Sequence, residues 1–91
     1  MAKKQNYVAL IEHDKGTLYG VRFPDLPGCY SAGESAAAAA ENAMEAVRLW
    51  AEVALDRGES PPVVRPPDEV LADEAIRNAI VHGAVPILVP L

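Results

Sequence analysis

Apolar and polar positions divide this chain into a strand-rich opening, a helical middle and a mixed tail. Residues 7–12 (YVALIE) are aromatic, β-branched and aliphatic, which predicts a strand. Tyr7, Ala9 and Ile11 would share one of its faces, Val8 and Leu10 the other. Both sets are apolar, so the pattern leaves open which face is buried. Residues 18–23 (LYGVRF) alternate, with Tyr19, Val21 and Phe23 against Leu18, Gly20 and Arg22. Period two is the mark of a half-buried strand. Asp14, Lys15 and Gly16 supply turn chemistry between the two segments, which predicts an antiparallel hairpin.

The stretch FPDLPGCYSAGES, residues 23–35, follows. Pro24 has no N–H to give a ladder and should end the second strand. Leu26 stands before a proline and is pushed towards extended backbone. Pro27 and Gly28 suit the two central positions of a type II turn. Residues 29–32 can then return as a short third strand. Read this way, the stretch is a connector from strand to turn to strand to helix.

Ser35 is a good N-cap, and Glu34 beside it favours the positive end of a helix. Five alanines, Ala36 to Ala40, follow, and alanine has the highest helix propensity. Ala36, Ala40, Ala43, Val47, Trp50 and Ala54 recur at three- and four-residue spacing and predict one apolar stripe. Glu41, Glu45, Arg48, Glu52 and Asp56 are placed opposite it. Leu49 and Leu55 flank the stripe, and the pattern leaves open whether they are core margin or exposed contacts. Gly58 is placed as the residue that stops the helix.

Residues 60–67 (SPPVVRPP) hold four prolines and predict an extended connector. Pro67, with Asp68 and Glu69 behind it, reads as the first turn of a second helix. Val70, Leu71, Ala75, Ile76, Ala79 and Ile80 give that helix a short span, whole or broken, ending near Gly83. Residues 84–89 (AVPILV) read as a last strand, with Pro86 pointing to an edge position. The expected fold is α+β: a three-stranded antiparallel meander, a long helix packed on one face, a short second helix, and a fourth strand parallel to the first. A right-handed crossover would make that last connection.

Ninety-one residues suit a single domain, 1–91. A chain of this size buries roughly 60–65% of its unfolded surface, so a deep closed cavity is hard to build and a partner would add useful buried area. Apolar residues make up 51% and charged residues 23%, the balance of a globular domain. The net charge of −5 argues against sequence-independent nucleic-acid binding, which needs Lys and Arg on phosphates. It fits a basic protein partner, or merely keeps the chain soluble. The single cysteine, Cys29, allows no internal disulfide and no paired-cysteine metal motif. No apolar run approaches the roughly 18 residues of a membrane span, the start does not read as a signal peptide, and a cytoplasmic location is expected.

Candidate chemistry is thin. Cys29 with His13 or His82 is the only thiol–imidazole combination, and nothing in the spacing joins them; Cys29 reads as a small buried hydrophobe. A two-metal nuclease needs converging carboxylates. The first strand offers Glu12 at its far end, the last offers none, and Glu41 and Glu45 fall on the polar side of the helix. The expectation is no catalytic residue, no metal and no cofactor.

Several segments together resemble the HicB-like antitoxins. They are residues 7–11 (YVALI), 21–29 (VRFPDLPGC) and 32–35 (AGES), then Glu41-Asn42-Ala43, Gly58 with Pro61-Pro62, and the closing VPILVPL. The resemblance covers essentially the whole chain. It implies a degenerate ribonuclease-H-like domain without enzymatic activity, which binds and neutralises a small basic HicA-type toxin that cleaves mRNA. It implies a homo-oligomer. It also implies DNA binding only through an additional C-terminal domain beyond Leu91, and the chain is either cut there or naturally single-domain. Arg22, Phe23, Asp25, Leu26 and Tyr30, in and around the FPDLPGC block, are the candidate partner-binding residues; Asp25 is read as a turn-stabilising side chain, a contact to a basic partner, or both. Competing readings are a solitary RNA-binding or RNA-processing domain and a self-associating structural module that pairs along a sheet edge.

Overall fold

A computed structural model of the chain describes residues 6–13, 16–60 and 64–91. Its elements are β1 (Asn6–His13), β2 (Tyr19–Arg22), β3 (Tyr30–Gly33), α1 (Ala36–Asp56), α2 (Pro67–Ala72), α3 (Glu74–Val81) and β4 (Val85–Pro90). The strands form one sheet in the order β3-β2-β1-β4. Asp14, Lys15, Pro61 and Pro62 lie outside the described residues.

The meander forms as the alternation predicts. Ile11 faces Val21 across the first pair, and Val21 faces Ser31 across the second, both antiparallel. The Pro27-Gly28 turn is also in place: the Cys29 N–H donates to the Leu26 carbonyl at 3.0 Å, and Gly28 takes φ 84°. That torsion is open to glycine and strained for other residues.

The fourth strand does not run parallel to the first. β4 pairs with β1 antiparallel, from Asn6 opposite Pro90 to Ile11 opposite Val85, so the whole sheet is antiparallel. The cause lies in β1, whose two faces are both buried. Tyr7, Ala9 and Ile11 pack under α1 with Val21, Phe23, Leu26 and Val47. Val8 and Leu10 pack on the other side with Val70, Ile76 and Ala84. Closing that second face takes a second traverse of the sheet by α2 and α3. One crossing would return the chain parallel to β1; two crossings return it antiparallel.

α1 starts where expected. The Ser35 hydroxyl accepts from the Ala38 N–H at 3.1 Å. It ends in a Schellman motif, Glu59 N–H to Ala54 carbonyl at 2.8 Å and Gly58 N–H to Leu55 carbonyl at 2.9 Å. Its buried line is Ala39, Ala43, Val47 and Ala54, with Trp50 and Ala46 packed beside it. Ala36 is exposed and Ala40 half-buried, so the expected stripe is out of phase at its N-terminal end. Gly33 sets the phase. A Cβ there would fall 2.5 Å from the Ala39 nitrogen, so the helix crosses β3 at contact distance and turns Ala39 inward.

The second helical segment is broken at Asp73. That residue ends α2 with extended backbone, and its carboxylate then caps α3, accepting from Ala75 N–H at 2.9 Å and Ile76 N–H at 3.3 Å.

Both borders of the sheet are blunted. On β3 the Asn42 side chain donates from Nδ2 to the Ala32 carbonyl at 2.8 Å. On β4 Pro86 and Pro90 lack an N–H, and a strand tolerates proline where that group would point outward. Leu88 is then the remaining outward donor of that register.

Candidate functional site

The FPDLPGC block is built from the core outward. Phe23 and Leu26 sit inside it, 4% and 1% exposed. The alternation that sets Phe23 beside Tyr19 and Val21 already carried the sign of this. They hold the turn on the sheet rather than presenting a surface. Asp25 reaches sideways to the connector: its Oδ1 accepts from Arg65 Nε at 2.8 Å and Nη2 at 2.5 Å. The pair ties the turn to a segment 40 residues later. It also places a negative charge near Tyr7, whose phenol is pushed above its ordinary 10.0 by burial first and by Asp25 second.

Arg22 and Tyr30 stay at the surface. They are direct cross-strand partners, and Tyr30 is 69% exposed. Arg22 Nε donates to Glu12 Oε1 at 2.6 Å. α2 and α3 cover the β1 side of this face, and over β2 and β3 it stays open: a shallow depression is lined there by Glu12, Gly20, Arg22 and Tyr30. Of the five candidates, the structure brings Arg22 and Tyr30 together on this patch, puts Asp25 in the clasp with Arg65, and puts Phe23 and Leu26 underneath.

Tyr30 also lines a second concavity around the β3 border. This groove of about 550 Å³ runs between the 27–30 turn and the C-terminal half of α1. Trp50 forms part of its wall and donates from Nε1 to the Pro27 carbonyl at 3.3 Å. Leu49 and Val53 stand beside it, 50% and 49% exposed. Leu49 is open in the sequence between core margin and exposed contact, and Val53 and Trp50 are not among the candidates the sequence offers. The available signal was their 49, 50, 53 spacing, which sets an apolar flank next to the buried line. Leu55, 66% exposed, points away from the groove.

The polar chemistry is dispersed. Cys29 is buried, and burial pushes its thiol above the ordinary 9.0. His13 stacks on Tyr19 at 3.8 Å between ring centroids, with Nε2 on the Thr17 carbonyl. His82 Nδ1 is engaged by the Asn78 carbonyl at 2.8 Å. Glu45 pairs with Arg48 on the open side of α1. Among the described residues no three His, Cys, Asp or Glu side chains converge as a metal site requires, and no helix is long and apolar enough to cross a membrane.

Comparison with known proteins adds a family. Residues 7–89 match the model described as HicB-like antitoxin of bacterial toxin–antitoxin system. The fold superposes on the crystal structure of the Burkholderia pseudomallei antitoxin HicB with TM-score 0.79 and 30% identity, over 96% of this chain and 63% of that one. The N-terminal domain of the same antitoxin gives 0.74 and 27%, over 96% and 98%. A chain of a HicA3 and HicB3 toxin–antitoxin complex gives 0.73 and 24%, over 93% and 95%, a likeness of fold. The chain thus spans less than two thirds of the longer HicB antitoxin. No curated protein matches.

Proposed function

The chain belongs to the HicB-like antitoxin family of bacterial toxin–antitoxin systems, and from that premise we propose that it binds and neutralises a small basic HicA-type mRNA-cleaving toxin without catalysing a reaction. The observation that carries this reading is the family match across 7–89, which reaches from the first strand into the last. The geometry supports it. Two concavities flank Tyr30, an apolar groove beside Trp50 and a depression holding Glu12 and Arg22, on a chain of net charge −5. Such a surface suits a cationic protein.

In this reading Arg22 and Tyr30 touch the toxin, while Phe23, Leu26 and the Asp25–Arg65 clasp hold the turn that presents them. In the same reading the domain works in the cytoplasm as a homo-oligomer, and it contacts DNA only if an additional C-terminal domain exists beyond Leu91. Glu12 is paired to Arg22, and Glu45 to Arg48, which favours binding over hydrolysis. A solitary RNA-binding role draws less support, since one arginine and one tyrosine make a poor platform for a polyanion.

Co-expression with a small basic HicA-type toxin tests the proposal. The expected outcome is a copurifying complex and restored growth. A toxin that stays free and inhibitory in its presence overturns it.

A further inference from the structure

Resting on that toxin-binding reading, we propose that the groove between the 27–30 turn and α1 is the docking site for a basic segment of the partner protein that carries a large apolar side chain. Three observations converge there.

The first is shape. Trp50 is pinned by its bond to the Pro27 carbonyl, so one wall of the groove is held in place before anything binds. Leu49 and Val53 continue that wall, and Tyr30 stands across from them. Concave apolar surfaces with a rigid aromatic are where interface energy concentrates.

The second is charge. On a helix of 3.6 residues per turn, positions 45, 49, 52, 53 and 56 fall on one flank. Glu45, Glu52 and Asp56 therefore form an acidic lip along the outside of Leu49 and Val53, and all are exposed. Arg48 bonds Glu45; among the described residues no ion pair engages Glu52 or Asp56. Glu59 and Arg57 close the lower end. Lip and end together carry four acids against two arginines. An apolar slot beside an unbalanced acidic lip matches a hydrophobe flanked by lysine or arginine. It repels a polyanion, and a second copy of this chain would bring the same acids with it.

The third is the border of β3. Asn42 caps the Ala32 carbonyl, so a partner cannot extend the sheet along its full length. The groove begins just below that cap, where residues 27–30 line it.

The chain has one tryptophan, so Trp50 emission reads the groove directly. The probe is a small basic HicA-type toxin, its own emission subtracted. Binding is expected to shift Trp50 to the blue and to weaken as salt rises. Leu49→Arg should weaken binding at least ten-fold, Glu52→Lys with Asp56→Lys should weaken it and flatten the salt dependence, and Leu55→Arg on the far side of α1 should leave it unchanged. Circular dichroism melts confirm that each variant folds. Wild-type-like binding by Leu49→Arg, or unchanged Trp50 emission in a complex that does form, overturns the groove and leaves the antitoxin reading standing. Loss of a homodimer by Leu49→Arg, with toxin binding intact, overturns it too and makes the groove a self-interface. Absence of any complex with the wild-type chain overturns both.

Discussion

The two sides of the sheet are built on different scales. On one, a helix of 21 residues lies across the sheet and seals a layer that runs from Val89 through Tyr7, Ala9 and Val21 to Phe23, Leu26 and Cys29. On the other, helices of six and eight residues cover Val8 and Leu10 with Val70, Ile76 and Ala84, and leave β2 and β3 bare. The broad layer supplies stability and, along the flank of α1, a groove. The narrow layer decides the direction of the last strand and frees the patch that holds Arg22 and Tyr30. Cover and display are divided between the two sides.

Substitutions can break that contrast, beginning with the largest effect. Gly33→Val sets side-chain atoms against the Ala38 and Ala39 backbone. We expect a loss of about 3 kcal/mol or more, seen as failure to give a cooperative melt. Leu26→Ala empties a fully buried site in the broad layer and should cost about 2–5 kcal/mol. Ile76→Ala in the narrow layer should sit near about 2 kcal/mol, because fewer neighbours surround it. Urea titration of the pair checks the order, and an equal or reversed cost would show that the narrow layer is packed as tightly as the broad one.

Caps offer a gentler comparison. Ser35→Ala and Asp73→Ala each remove an N-cap acceptor, worth about 1 kcal/mol. In hydrogen exchange the first should speed the start of α1 and the second should loosen α3 without touching α1. The smallest effect concerns alkali. The folded thiol of Cys29 and phenol of Tyr7 are both held above their ordinary values. Both groups are favoured neutral in the fold, so their contribution is complete below pH 9.0, declines as pH rises from the ordinary towards the raised values, and is lost above them. A melt series from pH 8 upward should fall, and Cys29→Ala should lessen the slope.

Local chemistry was legible where a residue type does one thing. Ser35 caps, Gly58 ends a helix and Pro27-Gly28 turns, and each did so in the fold. The phase of α1 was hidden by its five consecutive alanines, because identical residues mark no face; Gly33 and its contact with Ala39 resolve it. The direction of β4 was hidden for a related reason. A strand apolar on both sides, as YVALI is, asks for cover on both sides, and that request implies the second crossing. Of the five candidate site residues, the parity of LYGVRF marked Phe23 as interior, while Tyr30 was legible as surface only once β3 was seen to be a border. Arg65, the partner of Asp25, carried no signal, since an ion pair closing 40 residues of chain is a product of the fold.

The capped carbonyl of Ala32 and the prolines at 86 and 90 have a consequence for abundance. Crowded ribbons tend to zip into fibrils through bare margins. Here a colliding copy meets a carbonyl already occupied on one margin and two missing donors on the other, so surplus molecules have little on which to seed a fibre.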